Sequence, residues 1–313
     1  MGQVITGRAV KKPAKVKGGG ARVVTYEIES WSEFINVIES WQGFRNWCFR
    51  GQGDAGWTLR PSLSRHIEVS KVVRKAWPRQ EERIRRIFER KSHLFTQDTP
   101  RDDELEWLAL MQHYGAPTRL LDFTWSPYVA AFFALERATE NAAIWAVNLP
   151  LLWDIHDRHR IDGVTIEAAD PRDAKAFNKY FLPNQRAFVW QGDPFRMPLR
   201  VVAQSGTFLV SSHLGMTVED ILARYPGEGQ LLAKFVLPAA KLRAEAMASL
   251  YSMNITQATL FPGLDGLARS MAYEFEYSWE VDLATDEIVE AIRHPHLPDS
   301  VLDLLRAKDS RAK

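Results

Sequence analysis

Two stretches of this chain set charged and hydroxyl side chains among large apolar ones, and any chemistry it performs would be organised around them. The first runs from Trp47 to Arg65, the second from Met111 to Leu135. In the first, Trp47-Cys48-Phe49 leads into Arg50 and then Gly51-Gln52-Gly53. A guanidinium at the end of an apolar strand is partly desolvated, and a desolvated cation requires an anion. That anion is either a protein carboxylate such as Asp122 or the phosphate of a ligand, and the sequence leaves both open. The glycines beside Arg50 would let a bulky ligand approach the backbone.

The second stretch carries His113, Tyr114, Arg119, Asp122, Thr124 and Ser126. On a strand from Thr118 to Thr124, Arg119, Leu121 and Phe123 share one face and Leu120, Asp122 and Thr124 the other, so charged groups are expected near the centre of a sheet. Structural duties compete with chemical ones here. Ser126 before Pro127 reads as a helix N-cap worth about 1 kcal/mol, and His113 near a helix end can meet the helix dipole.

The elements that position these residues follow from apolar periodicity and its punctuation. Val23 to Ile28 alternates as a strand. Ser30 with Glu33 is a capping box opening a helix through Phe34, Ile35, Val37, Ile38 and Trp41. Asn46 to Arg50 reads as a short strand giving way to a loop at Gly51. Arg79 to Phe95 is an amphipathic basic helix, with Ile84, Ile87, Phe88 and, a turn later, Leu94 and Phe95 on one side and Arg83, Arg85, Arg86, Arg90 and Lys91 elsewhere. Asp102 or Asp103 caps a helix that Gly115 and Pro117 end, and Ser126-Pro127 opens the Val129 to Leu135 helix. Ala142 to Leu149 is a buried strand. Between Pro150 and Pro183 the pattern weakens and predicts a peripheral insertion. Arg186 to Trp190, Leu199 to Ala203, Thr207 to Ser211 and Leu231 to Leu237 read as strands, and Thr217 to Tyr225 as a short capped helix. Helices are expected from Val236 to Ala248, on both sides of Pro262-Gly263, and from Asp286 to Ala307.

Mixed elements without regular alternation predict an α+β fold: one domain of short, mostly antiparallel strands with surrounding helices, over residues 23–283. Residues 284–313 would be a helical extension. Residues 1–22 hold Arg8, Lys11, Lys12, Lys15, Lys17 and Arg22 with no acid, and read as a disordered basic tail, either a solubilising leader or a contact for nucleic acid.

Composition narrows the function. The chain has 313 residues, 46% of them hydrophobic, enough for a core that needs no staples. Its single cysteine, Cys48, excludes an internal disulfide, and no apolar run reaches the roughly 18 residues of a membrane span, so a cytoplasmic protein is expected. Walker, dinucleotide-fingerprint, zinc-protease and nucleophile-elbow motifs are missing. The pairs His156/His159 and His294/His296 lack a context that would aim both imidazoles at one ion, so no metal is expected.

The Phe49-Arg50-Gly51 triplet, Leu59-Arg60-Pro61-Ser62 and the block from Gln112-His113-Tyr114-Gly115 to Phe133 resemble the FRG domain. Weaker similarity extends to Arg200 to Phe208, with Ala203-Gln204-Ser205-Gly206, and to Asn254 through Gly266. Arg50 with Thr124-Trp125-Ser126 also resembles the Arg-Ser-Glu type of ADP-ribosyltransferase. That second resemblance implies that NAD is a substrate. Arg50 would hold its pyrophosphate or ribose, Ser126 would order the nicotinamide pocket, and Gly51, Arg60, His113, Tyr114, Arg119 and Thr124 would complete the cofactor site. Where such enzymes have a catalytic Glu this chain has Gln257, and Asp265 is the substitute acid. The function so implied is a toxin or antiviral defence effector that modifies a nucleic-acid or protein acceptor. The alternative is a non-catalytic nucleotide or nucleic-acid binding module in which Arg50, Arg60 and Arg119 form an anion pocket.

Overall fold

The computed structural model describes residues 23–40, 46–97, 99–100, 103–276, 281–282 and 287–288. The basic tail, Trp41, Asp102 and nearly all of the 284–313 extension lie outside the described residues. The first half of the chain forms β1 (Val23–Glu27), α1 (Trp31–Ser40), β2 (Trp47–Gln52), α2 (Ser62–Val69), α3 (Trp77–Ser92), α4 (Glu104–His113), β3 (Leu120–Thr124), α5 (Pro127–Leu135), β4 (Asn141–Asn148) and α6 (Leu149–Arg158). The second half forms α7 (Ala174–Ala176), β5 (Val189–Gly192), α8 (Leu199–Ala203), β6 (Gly206–Ser211), α9 (Val218–Leu222), β7 (Leu232–Pro238), α10 (Ala239–Ser252), α11 (Gln257–Leu260) and α12 (Leu264–Glu276).

Seven strands build one mixed sheet in the order β1-β7-β4-β2-β3-β6-β5, antiparallel except for the β1–β7 pair. This is the expected α+β architecture. Helices cover both faces. On one, Trp31 and Phe34 of α1, Ala130 to Phe132 of α5 and Leu242 to Leu250 of α10 pack on Phe49, Ile144 and Phe235. On the other, Leu105 and Leu108 of α4, Leu152 and Ile155 of α6 and Ile221 of α9 pack on Cys48, Val147 and Leu209. Alternation along β2 thus sends Trp47 and Phe49 to the first face and Cys48 to the second.

The helix boundaries obey the capping chemistry. Asp103 accepts from the Glu106 amide at 3.1 Å to open α4, and Gly115 beyond its end takes φ +81°. Ser126 accepts from the Val129 amide at 3.2 Å, with Pro127 in the first turn of α5.

Three expectations of element type or placement change. The 150–183 region is no peripheral insertion: Leu152, Ile155 and His156 of α6 are buried, and a π-helical turn at Phe177–Phe181 buries both of its phenylalanines. Its charged residues line the solvent side of elements whose other side is core. Leu199–Ala203 is a helix: Pro198 fixes its start, and Val201 packs on the core while Leu199, which would share its face in a strand, is exposed. Within the expected terminal helix, Glu287–Ile288 instead pairs antiparallel with Val281–Asp282.

The centre of the sheet departs from regular geometry in two places. One is β2, which runs on through Gly51 and Gln52 instead of turning at the glycine. A Cβ on Gly51 would stand 2.5 Å from the Ala134 amide nitrogen and closer still to the Ala130 carbonyl oxygen. The missing side chain lets the alanine-rich face of α5 lie directly on the strand. The other is the junction of β2 with β3. β2 matches β4 over six register positions and β3 matches β6 over five, but β2 and β3 meet only at Phe49 and Thr124. Beyond that pair the central strands part.

Candidate functional site

The gap between β2 and β3 is a cleft of about 750 Å³. Its floor is the parted strands: Phe49 to Gln52 on one edge and Asp122 to Thr124 on the other. Trp57, Arg60 and Arg65, from the loop after β2 and from α2, form one wall, while Phe133 of α5 and Arg200 and Gln204 of α8 form the opposite wall.

Arg50 spans the gap. Its Nη1 donates to the Asp122 main-chain carbonyl at 2.7 Å, replacing a rung of the missing ladder, and stands 3.9 Å from the Asp122 carboxylate. Its Nε is buried and has no hydrogen-bond partner. Burial is the main influence on this guanidinium and lowers its pKa; Asp122 acts against that and Arg65 adds to it. Asp122 is 57% exposed, with its Oδ1 accepting from the Gln112 amide at 2.7 Å. The Arg50–Asp122 contact the sequence left open is therefore made, but at the mouth of a cleft and chiefly through a carbonyl.

Arg60 repeats the pattern. Its Nη1 is held by Glu68 at 2.5 Å while its Nε is buried without a partner. Arg65 donates to the Arg60 carbonyl at 2.6 Å. Across the cleft, Arg200 lies over the Phe261 ring at 4.1 Å, and burial lowers its pKa, opposed by Asp122. Four guanidinium groups thus face a space to which Asp122 contributes the one lining carboxylate among the described residues. Gln52 adds a rigid polar group to the floor: it accepts from the Trp145 indole at 2.9 Å and donates to the Thr58 carbonyl at 3.3 Å.

Of the residues singled out from sequence, Arg50, Gly51, Arg60 and Thr124 line this cleft. Gly51 serves helix packing on its outer side. Thr124 is engaged too, donating to the Gln204 carbonyl at 2.7 Å and accepting from the Ser126 amide at 3.0 Å. Ser126 itself stands behind Thr124 as the cap of α5. Arg119 is elsewhere: it is fully buried, held by both Glu81 carboxylate oxygens and by the Ser211 carbonyl, and packed against Phe177 and Phe181. Gln257 is buried and donates to Glu136 beyond the end of α5, outside the cleft lining. His113 and Tyr114 sit just outside, ring edge against ring face. Burial is the main cause of the lowered His113 pKa, with Arg200 adding to it and Asp265 opposing. Asp265, exposed in the first turn of α12, therefore belongs to the Arg200 side without lining the cleft.

Trp57, Arg65, Phe133, Arg200 and Gln204 were not singled out as site residues. Arg65 ends the first chemical stretch, and Arg200 and Gln204 fall in a block that carried the weaker family resemblance, so a signal existed for three of them. Trp57 lies inside the first chemical stretch, and Phe133 ends the block with the stronger family resemblance, but neither aromatic was distinguished there from its apolar neighbours. Among the described residues no cluster of His, Cys, Asp or Glu is placed to hold a metal ion, and no helix is long and apolar enough to cross a membrane.

Compared with known proteins, residues 45–143 match the family model of the FRG domain, so an FRG domain is present. No curated protein and no solved structure matches the chain. The matched span runs from the start of β2 into β4 and contains Arg50, Arg60, Arg65, Asp122, Thr124 and Phe133. Arg200 and Gln204 of the opposite wall lie outside it.

Proposed function

We propose that the cleft between β2 and β3 binds a nucleotide, and that the nucleotide is NAD, consumed as an ADP-ribosyl donor. The observation that carries the nucleotide reading is the pair of buried, unpartnered Nε–H groups on Arg50 and Arg60 in one cleft. A buried donor left unsatisfied costs about 1–3 kcal/mol, which leaves each guanidinium short of an acceptor, and a ligand phosphate is the charge-assisted partner such groups take up as they turn into the cleft. Size supports it, since ligand sites generally occupy about 300–1,000 Å³. Arg50 and Arg60 would take the pyrophosphate and Arg200 would balance charge from the far wall. Trp57, 58% exposed, offers a flat ring to a base.

Transfer needs more than binding. The bond from ribose C1′ to the nicotinamide nitrogen breaks with its electron pair leaving on nicotinamide. A nucleophile on the acceptor then bonds to C1′ and gives up its proton. The positive charge that develops on the ribose calls for a fixed negative group, whose stabilisation is worth several kcal/mol. Asp122 supplies that group in this reading, its Oδ1 held by Gln112 and the other oxygen left toward the cleft. A non-catalytic nucleotide-binding module is the second reading. It is favoured by the position of Gln257, which is bound to Glu136 and outside the cleft lining.

Calorimetric titration with NAD, ADP-ribose and pyrophosphate, together with chromatographic detection of released nicotinamide, tests both. Binding of all three that weakens at least tenfold in Arg50→Ala supports the nucleotide site. Loss of nicotinamide release in Asp122→Asn, with NAD binding retained, supports transfer. Binding without release in the wild type leaves the module and ends the transferase; no binding of any of the three ends the site.

A further inference from the structure

A second cavity, of about 450 Å³, lies where the start of α3 meets the loop before β5 and the loop after β6. It shares no lining residue with the cleft. Arg74 and Lys75, from the helical turn that precedes α3, line it together with Asn184 and His213, and no carboxylate among the described residues does. Neither Arg74 nor Lys75 makes an ion pair among the described residues. Arg74 is nevertheless placed: it lies over the Trp77 ring, 5.9 Å from its centre, and the buried indole is itself fixed by donating to the Val72 carbonyl at 2.8 Å.

The two uncharged polar groups are donors by elimination. The Gly215 amide donates to His213 Nδ1 at 3.2 Å, so that nitrogen carries no proton and Nε2 does. The Leu214 amide donates to Asn184 Oδ1, which leaves the Asn184 amide nitrogen over. Neither His213 Nε2 nor Asn184 Nδ2 has a hydrogen-bond partner among the described residues. Ser211 holds the His213 backbone in place, its hydroxyl donating to the His213 carbonyl at 3.1 Å and accepting from the His213 amide at 3.3 Å. Burial is the main cause of the lowered His213 pKa, and the charges that add to it, on Arg74, Arg224 and Arg119, are all positive. Two unpaired cations and two idle donors on one cavity suit an anion with a charge of about −2 and several acceptor oxygens, which a phosphate has and a carboxylate does not. The Trp77 ring is only 3% exposed, so no base can lie on it, and the ligand differs from the nucleotide of the cleft. We propose that this cavity binds a phosphate group, free or as a phosphomonoester, with Arg74 and Lys75 countering its charge and His213 Nε2 and Asn184 Nδ2 donating to its oxygens.

The test is calorimetric titration of the full chain with inorganic phosphate, glycerol phosphate and acetate. One or both phosphates should bind, and the tighter of the two tells whether the site takes the free ion or the ester. Lys75→Ala removes one charge-assisted contact and should weaken that binding about tenfold. Asn184→Asp keeps the acceptor for the Leu214 amide but sets a carboxylate oxygen where the amide donor was, and should weaken it by at least about tenfold. Lys75 is exposed and the Asn184 change is nearly isosteric, and circular dichroism checks that both variants fold. Both should leave NAD binding intact, so this proposal and the nucleotide site stand or fall separately. The proposal is overturned by no phosphate binding up to about 10 mM, or by equal affinity for acetate, which would mark general attraction of anions. It is also overturned by phosphate binding that Arg50→Ala abolishes and the Lys75 and Asn184 variants spare, since that binding belongs to the cleft.

Discussion

Replacing Gly51 by alanine is the sharpest test of how the Arg-Gly pair works. The added Cβ would stand 2.5 Å from the Ala134 nitrogen and nearer to the Ala130 carbonyl oxygen, whereas real Cβ contacts stay beyond 3.0 Å. Both obstacles are main-chain atoms of α5, which cannot swing aside as a side chain can. The helix must therefore lift by about 1 Å, in a core too densely packed to absorb the shift. Ala130, Phe132 and Ala134 are all fully buried and would lose contact with the sheet. Overpacking a core costs about 1–3 kcal/mol when side chains can yield, so at least about 3 kcal/mol is expected here. That is a large share of the roughly 5–15 kcal/mol that holds most domains folded. Urea unfolding followed by tryptophan fluorescence measures the loss. Gly53→Ala is the control, because the nearest atom to its added Cβ is 3.9 Å away, and it should change stability by no more than about 1 kcal/mol. A loss below about 1 kcal/mol in Gly51→Ala would refute the packing argument. Unchanged stability with nucleotide binding abolished would return the glycine to the role its sequence context suggested, that of admitting a ligand.

Three further outcomes are expected. Arg119→Met strands the Glu81 carboxylate in the core and should destabilise the protein by about 3–5 kcal/mol, while Arg119→Met combined with Glu81→Leu should recover most of that in the same unfolding assay. Burial lowers the pKa of His156 to about 4, so between about pH 6.5 and 4 the unfolded chain binds a proton that the folded chain does not. Stability should therefore fall as pH falls through that window, by about 3 kcal/mol in total, and His156→Phe should remove that component from the pH profile. Asp103→Ala removes both the α4 cap and the acceptor for the Phe195 amide at 2.9 Å, and a drop in midpoint equivalent to about 1–2 kcal/mol should appear.

Much of the fold was legible because local chemistry announces its own boundaries. Asp103, Gly115 and Ser126-Pro127 mark helix ends with side chains that satisfy specific backbone groups, and each stands where expected. The Phe177–Phe181 turn was not legible, because Phe177, Tyr180 and Phe181 form a single helical turn in a polar run too short to establish a period, and the two phenylalanines are buried by distant partners, Arg119 among them. The candidate site was half legible. Arg50 and Arg60 stand out as cations in apolar surroundings, whereas Arg119, equally conspicuous in sequence, is consumed by Glu81, 38 positions away. Nothing local distinguishes an arginine that awaits a ligand from one whose carboxylate arrives from another helix. Arg200 was hidden for the opposite reason: its run reads as a strand, and only the helix it forms turns its guanidinium onto Phe261 at the cleft wall.

The single Phe49–Thr124 rung has a mechanical consequence. Across the seam it marks, the sheet is two hydrogen-bonded plates, β1-β7-β4-β2 and β3-β6-β5, that share one register pair and are otherwise joined through the core packed on their faces. The Arg50 guanidinium, reaching from one plate to a carbonyl on the other, acts as a tie rod across that seam. Whatever anion settles on Arg50 therefore sits on the member that sets the spacing of the plates.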